Sequence, residues 1–302
     1  MKKIFTNHSE VGIGQVKIID SIDDGYIDWG VETINAPKLW KYTKGEGVKV
    51  VVIDTGIDME HEDFSGRIKG TVNGFDKSTR LVTDDYGHGT HVAGIIAGAK
   101  TGVAPEVDLY VSNVLDSSGR GTVATVIDGI SYAINIKADI LCMSLGMPKK
   151  LPQIMEQRIK KATQEGVIVV CATGNNGVQS VNYPASYDYV IGVGGVDKDL
   201  NRANFSNYGF DMDIVAPAVD ILSTYKDNKY AVMTGTSMAS PLVAGGLALV
   251  KSYFRNKGIE ISPKEMREYF YFLRKNRDRY VGHGLFDVDR FVKSIEFYFE
   301  KC

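Results

Sequence analysis

The run Val48-Lys49-Val50-Val51-Val52-Ile53 ends at Asp54-Thr55-Gly56, so an apolar stretch gives way at once to polar and turn-forming residues. Such a run is typical of a β-strand that is buried on both faces. The sequence therefore predicts several buried strands, because short β-branched runs bounded by glycine and aspartate recur along the chain. These runs lie at 109–114, 140–144, 167–172 and 189–193.

Segments with the spacing of amphipathic helices lie between these runs, at 88–98, 122–136, 151–165 and 237–254. Because strands that are apolar on both faces alternate with helices, we predict an α/β fold. Its central sheet should be mostly parallel and covered by helices on both faces. No repeat and no Pro/Ser-rich linker divides the chain, which favours one continuous domain.

The composition excludes several classes of protein. The 302 residues are 44% hydrophobic and 24% charged, which is the balance of an ordinary globular protein. The net charge is −2 and basic residues do not cluster, which disfavours nucleic acid and anionic membranes as partners. The longest apolar runs are far shorter than the roughly 20 residues of a membrane span. The first ten residues lack the apolar segment of a signal peptide, so we expect a cytoplasmic protein.

The cysteines are Cys142, Cys171 and Cys302, an odd number in a chain long enough to fold without disulfides. Two of them lie in apolar, strand-like runs. We therefore expect reduced thiols in the core rather than a disulfide or a reactive nucleophile.

Polar residues follow three of the predicted strands: Asp54, Ser144-Leu145-Gly146 and Thr173-Gly174-Asn175. In parallel sheets, ligands and catalytic groups collect at the carboxyl ends of the strands. Two predicted helices open with further polar clusters, which contain His88 and Ser237. We expect a functional site where these segments meet.

These residues include every group that acyl transfer requires. Ser237 would be the nucleophile, at a helix start where free N–H groups and the helix dipole favour negative charge. His88 would be the general base, and Asp54 would orient its imidazole. The side-chain amide of Asn175 could stabilise the oxyanion.

Each of these residues also has an ordinary structural interpretation. Asp54 could form a turn, Ser237 could be a helix N-cap, and Asn175 could belong to a turn. The pair His88 and His91 could be a satisfied helix residue and a packing residue. A zinc site formed by both histidines and Asp54 is a further alternative, but the chain lacks a His-Glu-x-x-His pattern and a third ligand on the same helix.

The sequence blocks around these residues resemble those of the subtilisin-like serine proteases, the subtilases. The order Asp, His, Ser along the chain is that of subtilisin, and the resemblance spans about residues 25–292. Two shorter elements, Ser144-Leu145-Gly146 and Ala172-Thr173-Gly174-Asn175, also match. The three catalytic blocks are Val52-Ile53-Asp54-Thr55-Gly56-Ile57-Asp58, His88-Gly89-Thr90-His91-Val92-Ala93-Gly94 and Gly235-Thr236-Ser237-Met238-Ala239-Ser240-Pro241.

The resemblance implies a three-layer subtilisin-like fold and a serine endopeptidase that forms an acyl-enzyme. Asp54, His88 and Ser237 would be its triad, Asn175 its oxyanion donor, and His91 a structural residue. It divides the chain into an N-terminal extension (1–24), a catalytic domain (25–292) and a C-terminal tail (293–302).

The resemblance also implies where a polypeptide substrate binds. Its backbone would form an added strand between Ser144-Leu145-Gly146 and Gly119-Arg120-Gly121, since β-augmentation gives sequence-tolerant affinity. Arg120 could prefer an acidic substrate residue, although a solvated surface arginine is the commoner case. Ala172, Thr173 and Gly174, together with the segment Asn182-Tyr183-Pro184, would form the first side-chain pocket, which Asn182 could make polar.

The chain departs from the family in two places. Many subtilases carry a calcium-binding loop after the first turns of the histidine helix, but here residues 95–105 run on without one. We therefore expect no tight calcium site, no metal ligands and no required cofactor. The short extension 1–24 resembles that of intracellular subtilisins, where it covers the cleft. Their Leu-Ile-Pro-Tyr motif is absent, so inhibition and a mere packing role remain two alternatives.

A non-catalytic, peptide-binding relative of the subtilases is the alternative function, but such proteins usually have a broken triad and this one is complete. The chemistry is the same for general protein turnover and for processing of one precursor, so the sequence does not choose between these roles. It also leaves side-chain preference and oligomeric state open, although Phe297-Tyr298-Phe299 could pack or associate.

Overall fold

The computed structural model describes the backbone of residues 3–6 and, in full, residues 16–301. The strands are β1 (Lys3–Thr6), β2 (Lys17–Ile19), β3 (Lys49–Asp54), β4 (Ile68–Asn73), β5 (Asp108–Asn113), β6 (Arg120–Thr122), β7 (Ile140–Met143), β8 (Leu145–Gly146), β9 (Ile168–Ala172), β10 (Ile191–Val196), β11 (Ile214–Pro217), β12 (Ile221–Tyr225) and β13 (Lys229–Met233). The helices are α1 (Trp29–Thr33), α2 (His88–Ala97), α3 (Val123–Asn135), α4 (Gln153–Gln164), α5 (Thr236–Arg255), α6 (Pro263–Glu268), α7 (Phe270–Leu273) and α8 (Val288–Lys301), with short 3₁₀ turns at Ala36–Lys38 and Glu62–Phe64.

The central sheet has seven strands in the order β11-β10-β9-β7-β3-β5-β4, and every neighbouring pair is parallel. The five apolar runs of the sequence all form strands of this sheet. The structure adds β4 and β11, which lie at its two edges.

Alternate residues of β3 pack on opposite faces of the sheet. Val50 and Val52 belong to the core under α2 and α5, whereas Val51 and Ile53 belong to the core under α3 and α4. A strand between two cores must be apolar at successive positions. This explains why apolar residues in β3 follow one another and do not alternate with polar residues. The result is the predicted three-layer arrangement, with helices on both faces.

Two small antiparallel sheets lie outside the central one. In the first, β1 is the middle strand between β6 and β8. In the second, β13 is the middle strand between β12 and β2. Both contain residues from the segment 1–24.

The expected C-terminal tail, 293–302, begins inside α8, which runs from Val288 to Lys301. Ile295 is buried in the same core as Phe291 and Val292. The described part of the tail is therefore continuous with the domain, because its helix places apolar residues against α5 and α7.

Among residues 16–301, no helix combines the length and the apolar character that crossing a bilayer would require.

Candidate active site

Asp54 and His88 form a hydrogen-bonded pair at the carboxyl edge of the sheet. Asp54 ends β3, His88 is the first residue of α2, and both side chains are fully buried. His88 Nδ1 lies 2.7 Å from Asp54 Oδ1, which also accepts a 2.7 Å bond from the Thr55 backbone N–H. Because an ionised carboxylate only accepts, the ring proton of His88 lies on Nδ1, and Nε2 is the basic nitrogen.

Glycines allow α2 to start this close to the strand end. Gly87 precedes the helix with a φ of 95°, in the left-handed region that suits glycine. A Cβ on Gly89 would lie 2.2 Å from the backbone oxygen of Gly56, so a side chain there would push the helix away from β3. The Gly-His-Gly pattern thus sets the short distance between His88 and Asp54.

Ser237 is anchored to the neighbouring strand end. It lies in the first turn of α5, is 1% exposed, and donates a 3.4 Å hydrogen bond from Oγ to the backbone oxygen of Ser144. Ser144 in turn donates from Oγ to the Ser237 backbone oxygen at 3.0 Å. Since β7 and β3 are adjacent, Ser144 and Asp54 lie at the same sheet edge, and α2 packs against α5 above them.

The side chain of Asn175 is held beside the start of α5. Its Oδ1 accepts from Thr236 N at 2.9 Å and from Thr236 Oγ1 at 2.8 Å. Two donors on Oδ1 fix the orientation of the amide, so its nitrogen faces away from them. A Cβ on Gly235 would lie 3.3 Å from Asn175 Nδ2, and therefore the amide N–H group lies against the turn that carries Ser237.

The two sequence segments expected to flank a substrate strand do lie opposite each other. Arg120 and Gly121 belong to β6, Leu145 and Gly146 form β8, and Gly119 makes the turn before β6 with a φ of 71°. The chain's own strand β1 occupies the space between them. Ile4 pairs with Gly121, and Phe5 pairs with Arg120 on one side and with Gly146 on the other.

The residues expected to form the first side-chain pocket lie together at the carboxyl end of β9. Ala172, Thr173 and Gly174 are buried, and Asn182 is 5% exposed. Asn182 N donates to Thr173 O at 2.9 Å. A Cβ on Gly174 would lie 2.5 Å from the side-chain nitrogen of Asn182, which places the Asn182 amide over the glycine backbone.

The sequence interpretation missed Asn207, which belongs to the same region. Its Nδ2 donates to Thr173 O at 3.2 Å, and its Oδ1 accepts from Asn176 N at 2.9 Å. It lies in an irregular segment after β10, where a single asparagine gives no pattern that predicts such contacts.

Sequence reasoning missed Asp84 and gave no role to Thr55 and Thr90. All three residues surround the start of α2. Asp84 is 6% exposed and accepts from the backbone N–H groups of Gly87 and Thr90 at 2.7 and 2.8 Å. An aspartate shortly before a predicted helix is a capping signal that could have identified it.

His91 lies one turn beyond His88 and has a different environment. Its Nε2 bonds to the backbone oxygen of Ala231 at 2.9 Å, and burial lowers the pKa of the ring to about 3. A neutral ring bonded to a carbonyl is a structural residue. Among residues 16–301, no group of three or more His, Cys, Asp or Glu side chains is arranged to hold a metal ion.

The buried cysteines are thiols. Cys142 and Cys171 are free, burial raises the pKa of Cys142 to about 12, and burial raises that of Cys171 well above its usual value. Thiols that resist ionisation are poor nucleophiles. The interpretation of Cys302 falls outside the described residues.

Comparisons with known proteins show which family this chain belongs to. The sequence profile of the subtilase family matches residues 45–280. The chain is 42% identical over 274 residues to an intracellular serine protease of Paenibacillus polymyxa, covering 85% of this chain and 83% of that protein. It is 42% identical over 261 residues to the major intracellular serine protease of Bacillus subtilis, covering 80% and 82%. It is 39% identical over 275 residues to subtilisin DY of Bacillus licheniformis, covering 87% and 97%. These matches confirm the three-layer fold expected from the sequence.

Proposed function

Because this chain belongs to the subtilase family and is a serine protease, we propose that Asp54, His88, Ser237 and Asn175 carry its catalysis. The observation that supports this most is the 2.7 Å contact between His88 Nδ1 and Asp54 Oδ1, two fully buried side chains. They lie at the end of β3, and Ser237 is bonded to Ser144 at the end of the adjacent strand β7. In the proposed role, His88 Nε2 is the ring nitrogen that takes the nucleophile's proton while Nδ1 stays bonded to Asp54.

In the proposed reaction, Ser237 Oγ attacks the carbonyl carbon of the substrate peptide bond while His88 Nε2 takes the hydroxyl proton. The negative oxygen of the tetrahedral intermediate is stabilised by the Asn175 amide and by the backbone N–H of Ser237 in the first turn of α5. When the C–N bond breaks, His88 gives its proton to the leaving amine, and an acyl-enzyme remains. Water then attacks with the same base, which releases the acid and restores Ser237.

A fluorophosphonate probe tests the assignment of the nucleophile. We expect the probe to form a covalent adduct at Ser237, and Ser237→Ala to lose both the adduct and peptide hydrolysis. The matched control is Ser252→Ala, since Ser252 is a buried serine on the same helix that bonds to Thr43 instead. An adduct on another residue, or substantial hydrolysis by the Ser237→Ala protein, would contradict the proposal.

We further propose that substrates bind as a strand between β6 and β8. The position of β1 supports this, because a segment of polypeptide already pairs with both edges, antiparallel to each. Gly121 is buried there, and a Cβ on it would lie 2.5 Å from the Val114 backbone oxygen. A side chain at this position would therefore push β6 away from the segment that follows β5. Arg120 is exposed at this edge, where it could meet an acidic substrate residue.

The same pairing supports a role for the extension 1–24 as a segment that covers the cleft and inhibits the enzyme. Strand β1 uses the hydrogen-bonding edges that a substrate would need, so the two compete for one place. Residues 7–15, which join β1 to β2, lie outside the described part of the chain.

We propose that activity needs no tightly bound calcium. Helix α2 ends at Ala97, and the next residues turn back on it: Gly98 N, Gly102 N and Val103 N donate to Gly94 O, Gly98 O and Ile95 O. Carbonyl oxygens that already accept hydrogen bonds here do not form the ring of six to eight ligands that calcium needs. The residues present at this position therefore do not fit the family's calcium loop.

Two of the relatives are named as intracellular serine proteases. On this basis we propose that the protein acts in the cytoplasm, in general protein turnover or in processing of a precursor.

A further inference from the structure

We propose that Asp84 is a positioning residue for catalysis: its charge caps α2 and, through two threonine hydroxyls, fixes the general base against the catalytic carboxylate. This inference rests on the proposed triad. It concerns a residue that touches neither the substrate nor the reacting atoms.

The side chain of Asp84 replaces the missing N-cap of α2. The capping position is Gly87, which has no side chain, and the first-turn amides of a helix lack partners within the helix. Asp84 Oδ1 accepts from Gly87 N at 2.7 Å, and Oδ2 accepts from Thr90 N at 2.8 Å. These two amides flank His88 in sequence, so the carboxylate holds both sides of the turn that carries the base.

The carboxylate also determines the direction of two hydroxyl groups. Thr55 Oγ1 donates to Asp84 Oδ1 at 2.8 Å, and Thr90 Oγ1 donates to Asp84 Oδ2 at 2.6 Å. A hydroxyl has only one hydrogen, so each oxygen must then accept from its other neighbour. Thr55 Oγ1 accepts from Gly89 N at 2.8 Å, and Thr90 Oγ1 accepts from Asp58 N at 2.9 Å.

These two bridges join the start of α2 to the segment that follows β3. Thr55 is the residue after Asp54, and its backbone N–H donates to the Asp54 carboxylate. Asp84 therefore connects both partners of the 2.7 Å pair, His88 through the helix turn and Asp54 through Thr55. A shift of the base by about 1 Å can cost about 10²-fold in rate, so this connection bears on catalysis.

The role requires an ionised carboxylate rather than any polar group. Five donors converge on Asp84: Thr55 Oγ1, Tyr86 N, Gly87 N, Thr90 N and Thr90 Oγ1. An asparagine offers one acceptor oxygen, and its NH₂ group would face two of these donors. Asp84→Asn keeps the size of the side chain and disrupts the hydrogen bonds.

Asp63 provides a matched control at the other end of the same helix. It is 1% exposed and accepts from Lys100 N at 3.1 Å and from Thr101 Oγ1 at 3.2 Å, just after α2 ends. Asp63→Asn removes the same charge from an equally buried place, far from the first turn of α2. Loss of stability alone should therefore affect both variants.

The experiment compares Asp84→Asn, Asp63→Asn and the unmodified full chain. We expect Asp84→Asn to lower kcat on a peptide anilide roughly 10- to 100-fold with KM changed less than about threefold. Asp63→Asn should keep kcat within about twofold, even if its Tm falls. If β1 competes with substrate for the same site, it raises KM but is displaced at saturating substrate. The kcat values of the three proteins can therefore be compared directly.

The low-field proton NMR resonance of His88 Nδ1–H gives a readout that does not depend on hydrolysis. We expect it to shift or broaden in Asp84→Asn and to stay in place in Asp63→Asn. If Ser237→Ala remained active, the proposed function would fail, whereas this resonance would still report on the positioning by Asp84. A folded Asp84→Asn protein with kcat within twofold and an unchanged resonance would overturn the inference.

If Asp84→Asn does not fold, Thr55 supplies a second pair of variants. Thr55→Val keeps the shape and loses the bridge, so it should lower kcat, whereas Thr55→Ser keeps the hydroxyl and should restore it. Equal kcat values for these two variants would also overturn the inference.

Discussion

The two histidines of α2 differ in the acceptor that each one faces. His88 bonds through Nδ1 to a carboxylate, which stabilises the protonated ring that forms when a base takes a proton. His91 bonds through Nε2 to a backbone carbonyl and is fully buried. A carbonyl carries no full charge, so burial dominates there and the ring stays neutral. One helix thus holds the proposed base and a buried, neutral histidine three positions apart.

The low pKa of His91 predicts a pH dependence of stability. Burial lowers this pKa from 6.5 to about 3, so between these values the unfolded chain binds the extra proton. The free energy of unfolding should therefore fall as the pH drops through this range. From pH 7.5 to 5 the contribution of His91 is about 2 kcal/mol, set by the pKa of the unfolded chain.

The measurement is urea unfolding at pH 7.5 and pH 5, in a Ser237→Ala background that prevents self-digestion. His91→Gln places an amide N–H where it can reach the Ala231 oxygen and removes the titration, so its loss of stability over this range should be smaller by about 2 kcal/mol. An equal loss in both proteins would contradict the assignment of a neutral, buried His91.

A residue of the proposed site could be predicted from the sequence where its side chain has a reactive or hydrogen-bonding group suited to catalysis. Asp54, His88, Ser237 and Asn175 could be proposed from residue type and from their places at strand and helix ends. Asn207 could not, because its backbone partners at Thr173 and Asn176 are more than 30 residues away in the sequence. Asp84 could be proposed only as a helix cap, because its link to the Asp54 segment passes through the hydroxyl of Thr55, 29 residues away. A hydrogen bond to a backbone amide leaves no trace in the sequence of the partner.

At the scale of elements, the central strands were predictable and the small sheets were not. Buried parallel strands such as β3 need apolar residues at successive positions, which any reader of the sequence can see. Strand β1 has only four residues, and its partners β6 and β8 lie more than a hundred residues away. Pairing between distant short strands depends on the finished fold.

The pairing of β1 predicts that the extension competes with substrate. Ile4 is opposite Gly121 in the register, and proline there removes a backbone N–H and disfavours a strand with neighbours on both sides. We expect Ile4→Pro to lower KM for a peptide substrate several-fold with kcat unchanged. The control Ile4→Ala keeps the backbone N–H and should lie closer to the unmodified chain.

Steady-state kinetics on freshly purified full-length protein checks this prediction. If KM and kcat were the same for Ile4→Pro and the unmodified chain, β1 would be a packing strand without an inhibitory role.

At the scale of the whole molecule, α5 joins the proposed catalytic site to the core. It is a 20-residue helix that is buried along most of its length, and it packs against α2, α8 and strands of the central sheet. Its first turn carries Ser237 and its middle forms part of the larger core. Because the site and the core share this helix, the proposed nucleophile is placed by packing throughout the domain. Helix α8 packs against α5 as well, and its buried residues belong to the same core.

The whole molecule should also keep its stability when calcium is removed. The segment after α2 folds directly back, with Val103 N and Ala104 N bonded to Ile95 O and Ile96 O, so no loop is inserted where many subtilases hold a tight ion. A tightly bound calcium ion would stabilise the folded state by mass action, so its removal would lower the Tm. Because we expect no such site, excess chelator should change the Tm of the Ser237→Ala protein by only a few degrees relative to calcium-saturated buffer. The measurement is a thermal melt in the two buffers at constant ionic strength. A decrease of more than about 10 °C, which for a domain of this size corresponds to the loss of several kcal/mol, would show that a strong cation site exists elsewhere in the fold.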